Sequence, residues 1–188
     1  MVCYNVFNLI IHAFIGIFLL PNFFKHFFKG PYSLICEEDE LYKNRHSRWS
    51  VGMFTLSKSW LLLDTFITIC LNKELEYGSV IHHSLVLLQV GFSYKSAGAS
   101  VRVPILINSL LGTITYFYFV GLHFNLNVDF LRKYIIIGQR WQFVIGILLI
   151  SIVKLWKNRG YNCEISHLAL DLNLFIYIIF FALALLKS

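Results

Sequence analysis

Residues 50–71, SVGMFTLSKSWLLLDTFITICL, decide how this chain is to be read. The stretch is mostly apolar and matches the roughly 20 residues a helix needs to cross the hydrocarbon of a bilayer. It nevertheless carries Lys58 and Asp64, with Thr65 beside the acid. Ionisable side chains are expensive in hydrocarbon, so charges inside such a segment mark a functional site by default. His82 and His83 follow near the start of the next apolar run. Consecutive residues on a helix diverge by about 100°. One imidazole can therefore face a given reacting atom while the other orients it or hydrogen-bonds to it.

The whole composition agrees with a membrane setting. Of 188 residues, 57% are hydrophobic and only 14% charged, and the mean hydropathy is +0.67. A soluble domain has no use for so much apolar surface. The 18 Phe and 10 Tyr suit lipid contact and the interface. Six segments are predicted to span: residues 4–24, 50–71, 79–94, 103–122, 134–153 and 168–186, the third being short. The expected architecture is one all-α polytopic membrane domain over residues 1–188. Pro21 is expected to kink or end the first helix, because proline removes a backbone donor. That first segment lacks a basic leader and is interrupted by Asn8 and His12, which favours a retained helix over a cleaved signal peptide. Residues 36–48, with four acids from Glu37 to Glu40, read as a solvated connection.

The net charge is +6, but the bases lie in short connections between apolar runs. That pattern points to membrane orientation and anionic headgroups rather than to nucleic acid. Lys25, Lys29, Lys43, Arg45, Arg48, Lys95, Arg102, Lys154, Lys157 and Arg159 fall in the first, third and fifth connections. Lys73, Arg132, Lys133 and Lys187 fall on the other side. The positive-inside rule alone would put the first group in the cytosol. The cysteines Cys3, Cys36, Cys70 and Cys163 show no CxxC spacing, and neither a disulfide framework nor a zinc site is expected from them.

Polar residues inside the other segments extend the candidate site. On a continuous helix Lys58 and Thr65, seven apart, share a face, as do Ser57 and Asp64. Asn108 and Thr115 lie near one stripe with Gly112 between them and Tyr116 and Tyr118 close by, and Gln139 and Gln142 are three apart beside Arg140. Interhelical pairing is the competing reading for the lysine, the aspartate and the glutamines. The remaining histidines, His12, His26, His46, His123 and His167, read mostly as interfacial or loop residues.

Taken in order, these residues resemble the ELO family of fatty-acid elongases. Leu56-Ser57-Lys58 through Asp64-Thr65-Phe66 is similar to its LSK…ExxDTxF signature, and Lys73 stands where the family has a basic loop. Ser79-Val80-Ile81-His82-His83 falls on its HxxHH box. Val103-Pro104 to Asn108, with Tyr116-Phe117-Tyr118, resembles its VPxxxN…HxxMYxYY segment. Lys133-Tyr134 with Gln139 to Phe143 resembles its KKYITxxQxxQF helix. Asn8 matches an asparagine of the first core helix, and Tyr161-Asn162-Cys163 a late-loop cysteine. Three positions depart from the pattern: Leu61 replaces an acid, Ser79 the first histidine of the box, and Gly112 a further histidine. The helix that precedes the core in the family has no counterpart in this sequence.

The resemblance implies six helices around a closed-ended acyl tunnel in the endoplasmic reticulum membrane, with both termini and residues 72–77 cytosolic. It implies a 3-oxoacyl-CoA synthase that condenses malonyl-CoA with a long-chain acyl-CoA and releases carbon dioxide, without metal or cofactor. His82 would carry the acyl group with His83 beside it. Lys58, Asp64, Thr65, Asn108, Tyr116, Tyr118, Gln139 and Gln142 would hold substrate. Expected partners are the two CoA substrates, membrane lipid, and a second copy or other elongation-cycle enzymes. Gly112→His is expected to raise activity if an acid–base group is all that the site lacks. The alternative is a catalytically silent elongase-like protein that binds acyl-CoA or a partner. A di-iron desaturase would need several histidine clusters, and a small transporter would not need these ordered motifs.

Overall fold

The structure, a computed structural model, describes residues 2–37, 41–70, 77–94, 96 and 98–186, and at Asp64, Tyr77, Ser79 and Leu186 the backbone alone. The described elements are helical: α1 (Val2–Lys29), α2 (Pro31–Cys36), α3 (Arg45–Ser59), α4 (Leu61–Cys70), α5 (Tyr77–Ser93), α6 (Arg102–His123), α7 (Phe130–Asn158) and α8 (His167–Leu186), with a 3-10 turn, Gly98–Val101, before α6. Five stretches are long and apolar enough to cross a membrane: Val2–Lys29, Arg45–Cys70, Gly98–His123, Phe130–Asn158 and His167–Leu185. The chain is a multi-pass membrane protein. Six crossings were expected. The remaining candidate, α5, has 17 residues and is about 26 Å long at 1.5 Å per residue, a few ångströms short of the hydrocarbon thickness.

Local sequence explains most of the element ends. The Asn44 side chain accepts hydrogen bonds from the amides of His46 (2.9 Å) and Ser47 (3.4 Å) and so caps α3. Pro104 sits in the first turn of α6, where its missing N–H leaves no gap. Gly160 takes φ 87° after α7. Its amide and that of Tyr161 turn back to the carbonyls of Lys157 and Trp156, closing the helix in a glycine-dependent turn. Of the two outcomes expected at Pro21, an end is not seen: α1 runs on through it to Lys29. One expectation fails. The second span is not one helix but breaks at Trp60 between α3 and α4. Ser57 Oγ donates to the Phe54 carbonyl just before the break (2.7 Å), and Tyr4 of α1 donates to the Trp60 carbonyl (3.4 Å). Partners from a neighbouring helix are what a broken membrane helix needs.

The core is split into two halves. Ile15 and Leu19 of α1, Val51 and Phe54 of α3, and Ile105 of α6 form one. Phe143, Ile150 and Val153 of α7 join Leu170, Ile176 and Phe180 of α8 in the other. Val90 of α5 and Val101 pack against both. Lipid tails are as apolar as these side chains, so close packing and buried polar pairs hold membrane helices together. α7 meets α8 at Gly146, where a Cβ would stand 2.6 Å from the Tyr177 ring. Between α5 and α8, Gln89 Nε2 and Ser93 Oγ both donate to Asn173 Oδ1, at 2.9 and 3.1 Å.

At one end of the bundle Arg102 is fully buried. Its Nε donates to Asn22 Oδ1 (2.7 Å), and its Nη atoms donate to the carbonyls of Ser33, Leu34 and Glu37. It is a structural clamp, not the free loop base that the charge pattern assumed. Beside it Cys36 and Cys163, 127 positions apart in sequence, form a disulfide with Cα atoms 4.6 Å apart. This corrects the expectation of no disulfide. Spacing along the chain cannot show a pairing made by bringing the α1–α3 and α7–α8 connections together. Tyr32 donates to the Asn162 carbonyl in the same contact (2.7 Å). Without reductant, only the exposed Cys3 and Cys70 should react with a maleimide in detergent. All four cysteines should react after reduction and denaturation. Cys36→Ser should lower stability by at most about 5 kcal/mol, the chain-entropy limit for so long a loop.

Candidate functional site

The seam between the two half-cores encloses a cavity of about 110 Å³ reached by α3, α4, α5, α6, α7 and α8. A single water needs roughly 10–15 Å³ of such space, so it holds several waters or a run of methylenes. On α5 the lining runs from His82 to Ser93, about 16 Å at 1.5 Å per residue. Lys58, His82, Asn108 and Gln142, four of the residues singled out in the sequence, line this one cavity. Lys58 is buried and donates to Asn108 Oδ1 at 2.6 Å. Asn108 Nδ2 in turn donates to Gln142 Oε1 at 3.4 Å. The Lys58 ammonium also lies 4.5 Å from the centre of the Phe54 ring, an additional cation–π contact. The result is a buried amine held against a pair of linked amides in a largely apolar enclosure.

The two box histidines diverge as helix geometry requires. His82 turns to the cavity, its ring centre 4.6 Å from that of Phe180 and 6.4 Å from that of Phe143. His83 turns to α4, with Nδ1 3.1 Å from Thr65 Oγ1. Thr65 therefore acts on His83 and is not among the cavity-lining residues. Leu61, the first residue of α4, still lines the cavity with Lys58, whereas Thr65, one turn further along α4, meets α5. Asp64 carries the family pattern and Ser79 departs from it, but the side chains of both lie outside the described residues, as do Lys73 and the connection 71–76.

The other candidates are dispersed. Gln142 faces the cavity while Gln139, three residues earlier, is exposed. Tyr116 packs on α1, its ring 5.5 Å from His12 and 6.4 Å from Tyr4. Tyr118 is half-buried against Phe119. Among the described residues no group of three or more His, Cys, Asp or Glu is arranged to hold a metal ion. Sequence reading missed three cavity residues, Gln89, Ser93 and Asn173. It also placed His12 and His26 at interfaces or in loops, whereas both are buried. A signal was present, because Asn8, His12, Ile15, Leu19, Asn22 and His26 recur at helical spacing. They form the buried stripe of α1.

Comparison with known proteins gives the same assignment over nearly the whole chain. The profile of the GNS1/SUR4 (ELO) family matches residues 1–185. Long chain fatty acid elongase 2 of Caenorhabditis elegans is 25% identical over 164 residues, which is 85% of this chain and 60% of that protein. Fatty acid elongase 2 of Trypanosoma brucei brucei is 31% identical over 93 residues, 48% of this chain and 34% of that protein. Fatty acid elongase sre1 of Dictyostelium discoideum is 27% identical over 126 residues, 65% of this chain and 46% of that protein. The chain thus spans 60% or less of the length of these curated relatives. No solved structure is a significant match. With the family profile covering all but the last three residues and its motif positions Lys58, His82, Asn108 and Gln142 gathered on one cavity, the chain belongs to the GNS1/SUR4 (ELO) family.

Proposed function

We propose that this chain is a fatty-acid elongase of the endoplasmic reticulum membrane, condensing malonyl-CoA with a long-chain acyl-CoA. The observation that carries this reading is His82 on the wall of the cavity that also holds the Lys58–Asn108–Gln142 chain. Imidazole is a competent nucleophile near neutral pH, and its acyl derivative is activated toward attack. In the first step the acyl carbon forms a bond to a His82 nitrogen and breaks its bond to sulfur. The CoA thiol leaves with the imidazole proton. In the second, malonyl-CoA loses carbon dioxide and the released electron pair attacks the acyl carbon. The carbon–nitrogen bond breaks, 3-oxoacyl-CoA forms, and the imidazole regains a proton from solvent. Lys58 is suited to meet a carboxylate or thioester oxygen, and His83, held by Thr65, to orient the box.

The disulfide supports an orientation. Disulfides persist on the oxidising side of a membrane, so the Cys36 and Cys163 connections are assigned to the lumen. The start of α5, the α6–α7 connection and the end of α8 then face the cytosol, where CoA esters are found. This agrees with the family expectation and opposes the count of basic residues, in which the buried Arg102 is not a free loop charge.

One feature of the cavity favours a second reading, a silent protein that binds acyl-CoA. Leu61 lines the wall where the resemblance implies an acid. The two readings part in one assay. Purified protein given labelled malonyl-CoA and a panel of acyl-CoAs should yield 3-oxoacyl-CoA. Acyl-CoA binding without product, under conditions that support a known elongase, would establish the silent reading instead.

A further inference from the structure

The cavity runs deeper than the His82 layer, and its far part carries polar groups. His82, Val86, Gln89 and Ser93 line it from α5, and Phe180, Tyr177 and Asn173 line it from α8. His82 meets Phe180 and Gln89 meets Asn173, seven residues away on each helix. The two helices thus run antiparallel in step, and Gln89 lies about 10 Å beyond His82 at 1.5 Å per residue. Helical Cα–Cβ bonds tilt toward the N-terminus, so Gln89 and Tyr177, on antiparallel helices, lean toward each other between these layers. An extended acyl chain advances about 1.3 Å per carbon, given C–C bonds of about 1.5 Å. With its carbonyl carbon at His82, the chain passes Gln89 and Tyr177 at about carbons 7 to 10.

Hydrogen-bonding capacity in this layer is only partly used. Asn173 uses its whole amide: Oδ1 accepts from Gln89 and Ser93, and Nδ2 donates to Ser93 Oγ and to the Ala169 carbonyl. Gln89 uses one N–H there. Its second N–H, its Oε1 and the Tyr177 hydroxyl have no hydrogen-bond partner among the described residues. Yet Gln89 is 8% exposed and Tyr177 9%, and both line the cavity. Helix pairing accounts for Ser93 and Asn173 but not for these groups. A leucine and a phenylalanine would pack the same wall without polar atoms that need partners. Water can serve them while no chain is bound, but an unsubstituted acyl chain displaces it without replacing its hydrogen bonds.

We propose that Gln89 and Tyr177 form a recognition site for a hydroxyl group in the middle of the acyl chain, so that hydroxyacyl-CoAs are the preferred substrates. The inference rests on the elongase reading for the acyl chain itself. The substrate hydroxyl donates to Gln89 Oε1 and accepts from the Tyr177 hydroxyl or the second Gln89 N–H. Such a substituent is costly to bury in a wholly apolar tunnel, whereas here it takes the place of displaced water. A site built to hydrogen-bond a substrate hydroxyl rejects the analogue that lacks it, because its own buried polar groups are then left unpaired. The substituent lies about 10 Å from His82, so the bonds made and broken at the thioester are the same for both kinds of chain.

The test compares tetradecanoyl-CoA with its derivatives hydroxylated at about carbons 7 to 10, on the whole chain in detergent. Elongation gives kcat/KM for each, and competition against a fluorescent acyl-CoA gives the binding preference without turnover. The best hydroxylated chain should exceed tetradecanoyl-CoA by about 10–100-fold in both, the effect of one or two buried groups left unpaired. Tyr177→Phe keeps the ring against Gly146 and should cut this preference by about tenfold. It should lower kcat/KM for the hydroxylated chain and raise it for the plain one. Gln89→Leu should act in the same direction, with thermal unfolding to show that it folds; if it does not, Tyr177→Phe decides alone. A preference that no folded variant changes overturns the proposal. Product from tetradecanoyl-CoA with no preference for any hydroxylated chain overturns this inference and leaves the elongase reading standing. Absence of 3-oxoacyl-CoA from every chain, with a hydroxyl preference in binding, defeats the elongase reading and supports the recognition site. Absence of both product and preference defeats both.

Discussion

His82→Ala should abolish both 3-oxoacyl-CoA formation and any covalent acyl-enzyme formed from acyl-CoA alone. If the imidazole carries the acyl group, no other described cavity-lining residue offers a nucleophile of the same kind. The loss should exceed the roughly 10²–10⁴ typical of a general acid–base group, because a covalent intermediate disappears. His83→Ala is the control that separates the two rings. Its Nδ1 is directed at Thr65, so it should slow turnover yet leave acylation detectable. Intact-mass measurement after brief exposure to acyl-CoA reads the adduct directly, and product analysis reads the turnover. An adduct that survives in His82→Ala would move the acyl carrier to another residue.

Arg102→Ala should be the most destabilising single substitution outside the site. The guanidinium is fully buried and satisfies Asn22 Oδ1 and the carbonyls of Ser33, Leu34 and Glu37. Its removal takes a charged donor from four acceptors, two of which, Asn22 Oδ1 and the Ser33 carbonyl, meet it in buried contacts. A loss of about 4 kcal/mol follows from hydrogen bonds to a charged group and from the orphaned partners. For a chain of this length that is on the order of 10 °C in the unfolding temperature. Arg102→Lys should recover only part of it, since an ammonium cannot reproduce the planar fork of donors. Thermal unfolding in detergent checks both. A shift of Arg102→Ala within about 2 °C of the unmodified protein would mean that the clamp is dispensable. The fall should be additive with that of Cys36→Ser only if the two fastenings at this end act independently.

The contrast between Gln142 and Gln139 shows how far sequence reading could go. Both are amides inside one apolar segment, three residues apart, and nothing local distinguishes them. Only the packing of α7 against α6 and α8 turns Gln142 to Asn108 and leaves Gln139 exposed. His12 shows the converse. Its spacing from Asn8 and Asn22 announced a buried polar stripe on α1. The gap that receives its ring belongs to Gly112, on another helix 100 residues later.

The sequence by itself determined that this is a helical membrane protein, where its long spans fall, and that Lys58, His82, Asn108 and Gln142 are exceptional. Hydrocarbon penalises polar side chains heavily, so each polar residue within a span stands out without knowledge of its neighbours. The tertiary structure decided which of these residues meet. It broke the second span at Trp60, and it set Lys58 against Asn108 and Thr65 against His83. It also joined Cys36 to Cys163, buried Arg102 in a clamp, and set His12 against Gly112. The physical reason is common to all four. Helical periodicity predicts the face a side chain shares with residues of its own helix, whereas contacts between helices depend on their rotation and neighbours, set by the packing of the whole bundle.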